Sequence, residues 1–169
     1  MPTLQVGRTV GKFFRFSIDD SGGTQRDIPV ETIGGVGVTY PEVDLTALQD
    51  VLKGFLLGQG TVAVTFGGPF DTTAVVASAA SGLVAALSGS HTVLSAINGL
   101  LVPLTVNIYV GMREYWTTGQ DPVFGITSSA TSGFLVSDYQ VDVVGGKYTA
   151  KLAMYPGSAA PTWATAAFT

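Results

Sequence analysis

The sequence predicts a mainly β fold: an antiparallel β-sandwich or barrel with one or two flanking α-helices. Three observations carry that expectation. Several runs alternate apolar and polar residues with period two, the mark of strands with one buried face. Glycine is abundant, 22 of 169 residues, and punctuates those runs with turn signals. Helical spacing is confined to short stretches. A chain of 169 residues suits one domain with its own core, and it has neither a fixed-period repeat nor a linker composition. We expect a single domain over residues 1–169, with an N-terminal arm over 1–11 and a C-terminal arm over 157–169.

Taken in order, Phe14-Arg15-Phe16-Ser17-Ile18 places its apolar side chains on one face and reads as a strand. Asp19-Asp20-Ser21-Gly22-Gly23 is turn chemistry, and residues 34–41 read as a loop. Over 45–57, Leu45, Leu48, Val51, Leu52, Phe55 and Leu56 follow helical spacing, with Asp44 as cap and Gly58 as stop. Residues 62–66 alternate again. Residues 74–87 are ambiguous, because alanines favour helix while Ser78, Ser81 and Gly82 dilute it. Over 90–98, Ser90 can cap a short helix whose Val93, Leu94 and Ile97 share a face, with Gly99 as left-handed stop.

Residues 104–113 sustain alternation for the longest run. The clearest hairpin joins 137–143 to 147–154 through Gly145-Gly146. One face holds Tyr139, Val141, Val143, Tyr148, Ala150, Leu152 and Met154. The other holds Asp138, Gln140, Asp142, Thr149 and Lys151, with acids facing Lys147 and Lys151 across the ribbon. The tail 157–169, mostly Pro, Ala, Ser and Thr with Trp163 and Phe168, has little to bury locally and is expected to dock on a neighbouring copy.

Composition narrows the function classes. Charged residues make up 12 % of the chain, against roughly 25 % in ordinary soluble domains, and residues 72–112 hold no Asp, Glu, Lys or Arg. Such a surface needs covering. Lipid is disfavoured, since the best apolar run, 74–87, falls short of the roughly 20 residues a spanning helix requires. The first residues lack a signal-peptide core. No cysteine is present, so disulfides and thiolate metal sites drop out. A net charge of −4 argues against wrapping nucleic acid, and self-association is favoured.

Catalytic constellations do not emerge. His91, the single histidine, sits in Ser-Gly-Ser-His-Thr at an expected helix start, with no Gly-x-Ser-x-Gly elbow and no His-Glu-x-x-His. Asp19-Asp20 lacks the alternating acids of a calcium loop. Asp138 and Asp142 stand roughly 13 Å apart on a strand, beyond the spacing of paired glycosidase carboxylates. Gly34-Gly35-Val36-Gly37 lacks the strand–turn–helix setting of a phosphate cradle. We expect no enzyme, no cofactor and no metal. Tyr115-Trp116 suits a sugar platform or, more simply, a subunit interface.

The order of segments resembles a known family. Phe16-Ser-Ile-Asp-Asp-Ser-Gly-Gly-Thr-Gln-Arg-Asp-Ile28 resembles the opening hairpin of the major tail tube proteins of long, non-contractile-tailed bacteriophages (siphophages). Val43-Asp-Leu-Thr-Ala47 and Phe66-Gly-Gly-Pro-Phe-Asp-Thr-Thr73 resemble its next two recurring stretches. Ser90-His-Thr-Val-Leu-Ser-Ala-Ile-Asn-Gly99 is similar to its packed helix, and residues 134–155 look like its closing hairpin. The resemblance implies a virion tail protein, assembled in the host cytoplasm into hexameric rings. Those rings would stack into a tube that conducts genomic DNA without binding it specifically or entering a membrane. Implied partners are further copies and the tape-measure, tail-terminator and distal tail proteins.

On that reading the candidates for a polar lumen wall are Arg15, Ser17, Thr105, Asn107, Asp138, Gln140, Asp142, Thr149 and Lys151. The negative balance would make that wall mildly anionic and repel phosphate. Candidate inter-subunit contacts are Asp44, Leu48, Phe55, Trp116, Trp163 and Phe168. A capsid decoration or tail-completion protein is the first alternative, and a carbohydrate-binding β-sandwich the second.

Overall fold

In a computed structural model, which describes residues 14–45, 54–76, 87–110, 119 and 121–169, strand β1 (Phe14–Asp19) decides where the core lies. Its alternation sends Phe16 and Ile18 inward and Arg15 and Ser17 to the opposite face. The turn at Asp20 returns the chain as β2 (Gln25–Asp27). On its other side β1 pairs with β7 (Val106–Val110), followed by β8 (Val123–Ile126) and β11 (Thr162–Ala164). All pairings are antiparallel, and the order is β11-β8-β7-β1-β2.

The second sheet has the order β3-β6-β10-β9, from β3 (Thr32–Gly34), β6 (Thr65–Pro69), β10 (Lys147–Met154) and β9 (Phe134–Asp142). It faces the first across one core. Phe16, Ile18, Val106, Ile108 and Phe124 meet Phe66, Phe134, Val136, Tyr148, Ala150 and Leu152. The Phe16 and Phe66 rings stack with centroids 4.5 Å apart. Helix α1 (Ser90–Ile97) adds Val93, Leu94 and Ile97 and packs on β9. The expected mainly β antiparallel sandwich with a flanking helix is the observed architecture.

Several boundaries differ from expectation for physical reasons. The α1 cap is Gly89. The Ser90 hydroxyl is engaged elsewhere: it donates to Pro69 O at 2.8 Å and accepts the Asp71 N–H at 3.1 Å. The chain leaves the helix at Asn98, already extended at φ −62° and ψ 125°, and Gly99 follows at φ +76°. The expected helix 45–57 is replaced, where the chain is described, by a ribbon of β4 (Glu42–Asp44) and β5 (Phe55–Leu57). Pro41 O and Gly54 O accept the N–H groups of Gly58 and Leu45, closing this ribbon, and no core surface lies beneath it to reward a helical stripe. Leu48, Val51 and Leu52 lie outside the described residues.

Residues 74–76 carry no regular secondary structure, and 77–86 lie outside the described set. Val143 is 87 % exposed, not on the packed face. The Asp142 carboxylate accepts the N–H groups of Val144 and Gly145, so the turn starts one residue early. β9 also carries a surplus residue: the register shifts between Lys151 and Leu152, leaving Ser137 opposite no residue of β10, its hydroxyl donating to Lys151 O at 3.3 Å.

Within the single subunit the tail has a seat that its composition did not announce. It docks on its own subunit, with β11 on the edge of β8 and Phe168 over Tyr109 and Val123.

Candidate functional site

The outer face of the β3-β6-β10-β9 sheet is polar and open. Register sets Lys151 opposite Asp138, Thr149 opposite Gln140 and Lys147 opposite Asp142. β6 and β3 extend the same face with Thr65 and Thr32. A shallow depression of about 530 Å³ runs among Thr32, Thr65, Asp138, Thr149 and Lys151. Gly67 lets the strands lie close here, since a Cβ on it would sit 2.7 Å from Tyr148 O.

Charge on this face is balanced rather than anionic, because two carboxylates oppose two ammonium groups in register. The Gln140 amide donates to Asp138 Oδ1 at 2.9 Å. Lys147 Nζ reaches Glu31 Oε2 at 2.8 Å, and that hydrogen bond holds the lysine above its ordinary pKa.

The nine residues proposed for one wall do not share one face. Asp138, Gln140, Asp142, Thr149 and Lys151 are brought together. Arg15, Ser17 and Asn107 belong to the other sheet, Thr105 immediately precedes its strand β7, and all four are enclosed by the subunit itself. Arg15 forks onto the buried Asp27 carboxylate at 2.8 and 2.9 Å and lies 4.6 Å from the Tyr109 ring centroid. The Thr105 N–H donates to Asp19 Oδ2 at 2.7 Å, and Asn107 is bound to Phe168. Period-two alternation groups polar residues without saying what covers them.

Both edges of the polar sheet are open. Among the described residues β3 pairs on one side only, and β9 does so beyond Val136, its start being bridged by Leu104 at Phe134 and by Asn98 at Val136. α1 screens the start of β9, where Gly99 N–H donates to Val136 O, but 137–142 run on beyond it. Unpaired strand edges of this length invite another chain.

The ribbon β4–β5 is the second candidate surface. Tyr40, Val43, Leu45, Phe55, Leu56 and Leu57 are all exposed on it. Of the six predicted contact residues, Asp44 and Phe55 lie opposite each other on this arm. Trp163 is 53 % exposed beside the Phe124 ring, and Phe168 is half-buried on its own sheet. Leu48 and Trp116 lie outside the described residues, as does the Tyr115-Trp116 sugar-platform candidate.

Sequence reasoning missed the apolar hairpin tip, Val143 and Val144, and the exposed run Leu100-Leu101-Val102. Their signal was present in the first case: two valines beside a Gly-Gly turn have no strand left to bury them.

His91 is a packing residue in this geometry. Its Nδ1 lies 3.0 Å from the Tyr139 hydroxyl, and its ring sits 4.9 Å from Phe70. Among the described residues no group of three or more His, Cys, Asp or Glu could hold a metal ion, and no helix is long and apolar enough to cross a membrane.

No family model matches the sequence, and no curated protein matches it. Solved structures do resemble the fold. The anti-feeding prophage cap, a tube-terminating cap, superposes with a TM-score of 0.56 at 11 % identity, covering 94 % of this chain and 92 % of that one. The tail of an empty GTA particle, refined with C6 symmetry, gives 0.52 at 15 % identity, covering 92 % and 98 %. This chain shares its fold with both. The likeness spans nearly the whole of each partner, so the sandwich is matched as a complete domain. At these identities the match is one of fold.

Proposed function

We propose that the protein is a non-enzymatic structural subunit of a phage-type tail, forming hexameric rings that stack into a tube for DNA. The observation that carries this reading is a four-stranded sheet with a largely polar outer face, unpaired among the described residues along β3 and along β9 beyond Val136. In a ring, β3 of one copy would pair with β9 of the next, closing the sheets into a barrel without edges. The polar face would then look inward, while α1 and the other sheet would lie outside.

The exposed arm β4–β5 would be covered by an adjoining copy, because a lone two-stranded ribbon with solvated Phe and Leu side chains is marginal in water. A lining whose lysines and aspartates are paired in register offers phosphate neither a strong hold nor a strong barrier, which suits passage. The resemblance to siphophage tube proteins and the C6 symmetry of the GTA tail support six copies. Tape-measure, tail-terminator and distal tail proteins are the expected partners, with residence in the virion tail after assembly in the host cytoplasm.

A terminating cap is the second reading, favoured by the likeness to the anti-feeding prophage cap. Negative-stain electron microscopy of the purified chain tests both. Filaments of uniform bore are expected for a tube protein. Discrete single rings would favour the cap, and monomers at high concentration would overturn both.

A further inference from the structure

The C-terminal segment occupies a built slot on the β11-β8-β7-β1-β2 sheet. β11 adds to the edge of β8 with Ala164 opposite Val123 and Thr162 opposite Gly125. The Phe168 ring lies over Gly125, where a Cβ would come within 2.9 Å of it. Asn107, fully buried in mid-strand, spends both ends of its amide on one residue of the tail. Its Nδ2 donates to Phe168 O at 2.8 Å, and its Oδ1 accepts the Phe168 N–H at 2.8 Å. Gln25 Nε2 donates to the same carbonyl at 2.7 Å. Gly119 N–H donates to Thr165 O at 2.6 Å.

These contacts read main chain, as in strand addition to an open sheet edge. A buried amide such as Asn107 must have partners, so the slot does not stand empty without cost. Nothing in the contacts depends on which copy supplies the strand. The segment that delivers it, residues 155–161, carries Pro156, Gly157 at φ +79° and Pro161. Fully extended, those seven residues would span about 25 Å, enough to cross to an abutting subunit.

We propose that this slot is a strand-exchange site, which in the assembled state takes residues 162–168 of a second copy in place of the chain's own. Exchange replaces each hydrogen bond of the slot with its equivalent, so its cost lies in re-aiming the connecting segment, which is held by Tyr155 N–H to Gly133 O, Gly133 N–H to the Ser158 hydroxyl and Ala159 N–H to the Ser132 hydroxyl. Packing subunits side by side raises the effective concentration of the neighbour's tail and favours the swap. The inference rests on the self-association proposed above.

The chain has no cysteine, which makes the test direct. Val123→Cys and Ala164→Cys place two thiols on directly opposed residues of an antiparallel pair, within disulfide range. In the doubly substituted, unassembled chain the bond should close within one molecule, which checks fold and geometry. Singly substituted chains, mixed, assembled and oxidised, should give linked dimers holding one of each variant on a non-reducing gel. If rings or tubes form while the mixture stays unlinked and the double variant closes only within itself, exchange is wrong and self-association stands. Absence of both particles and links overturns both. A substitution-free route uses a labelled synthetic peptide of residues 160–169 during assembly of the unmodified chain. Retention of that peptide in washed particles, lost when it carries Phe168→Gly, is expected; no retention counts against the slot.

Discussion

Asp19 and Asp20 are neighbours in the chain that titrate in opposite directions. Burial raises the Asp19 pKa, against hydrogen bonds from Thr105 and Ser128. Burial also opposes ionisation of Asp20, but the Thr24 N–H, Arg26 and the Gly22 N–H outweigh it and hold that carboxyl low. The consequences differ in sign. A carboxyl with a raised native pKa lends stability that is full below the unfolded value and lost as pH rises through the native one. A lowered pKa lends stability that is present above the unfolded value, about 3.9, and lost as pH falls. Asp19→Asn should therefore raise the melting temperature near pH 7, with the gain vanishing towards about pH 3. Asp20→Asn should lower it near pH 7 and be neutral at the acid end. Calorimetry of both variants across that range checks the pair.

At the level of elements, the Arg15–Asp27 fork ties β1 to β2 inside the protein. Removing one partner leaves the other charge buried, so Asp27→Ala should cost about 3–5 kcal/mol in urea denaturation. Arg15→Met combined with Asp27→Leu should recover much of that loss. The base of the arm is set by Gly35, at φ +72°, where a Cβ would meet Ala63 O at 2.1 Å. Gly35→Ala should destabilise the fold by about 1–3 kcal/mol and abolish particles in the microscope, while circular dichroism still reports a β protein. Strands with an inside and an outside, β1, β7 and the β9–β10 hairpin, were legible in the sequence, as was α1. The arm was not, because Leu45, Leu48, Val51 and Phe55 satisfy helical spacing and only the lack of an underlying core favours a ribbon. Nor was the division of the polar residues: Ser17 and Asp138 look alike in a period-two pattern, yet one is sealed and the other open. The seat of the tail was hidden for a related reason, since its anchor is the buried Asn107 amide, and a mid-strand asparagine does not announce its partner.

For the whole molecule, the proposed function places the work on the polar sheet and its edges, and charge on that sheet is the variable to change. Asp138→Lys with Asp142→Lys would turn the balanced face basic. Assembled particles of this variant should retain double-stranded DNA at low ionic strength and release it as salt rises, whereas wild-type particles should not retain it. A gel-shift salt series reads the difference. The unmatched Ser137 has a wider reach. A surplus residue bends its strand and sharpens the local twist, and curvature fixes how many identical wedges complete a circle. Deleting Ser137 would leave every inward and outward side chain of β9 where it is, yet straighten the hairpin. Particles of the shortened chain should keep the subunit fold and change in girth, measured by image averaging. The circumference of the assembly would then be written not in any side chain, but in one peptide unit too many.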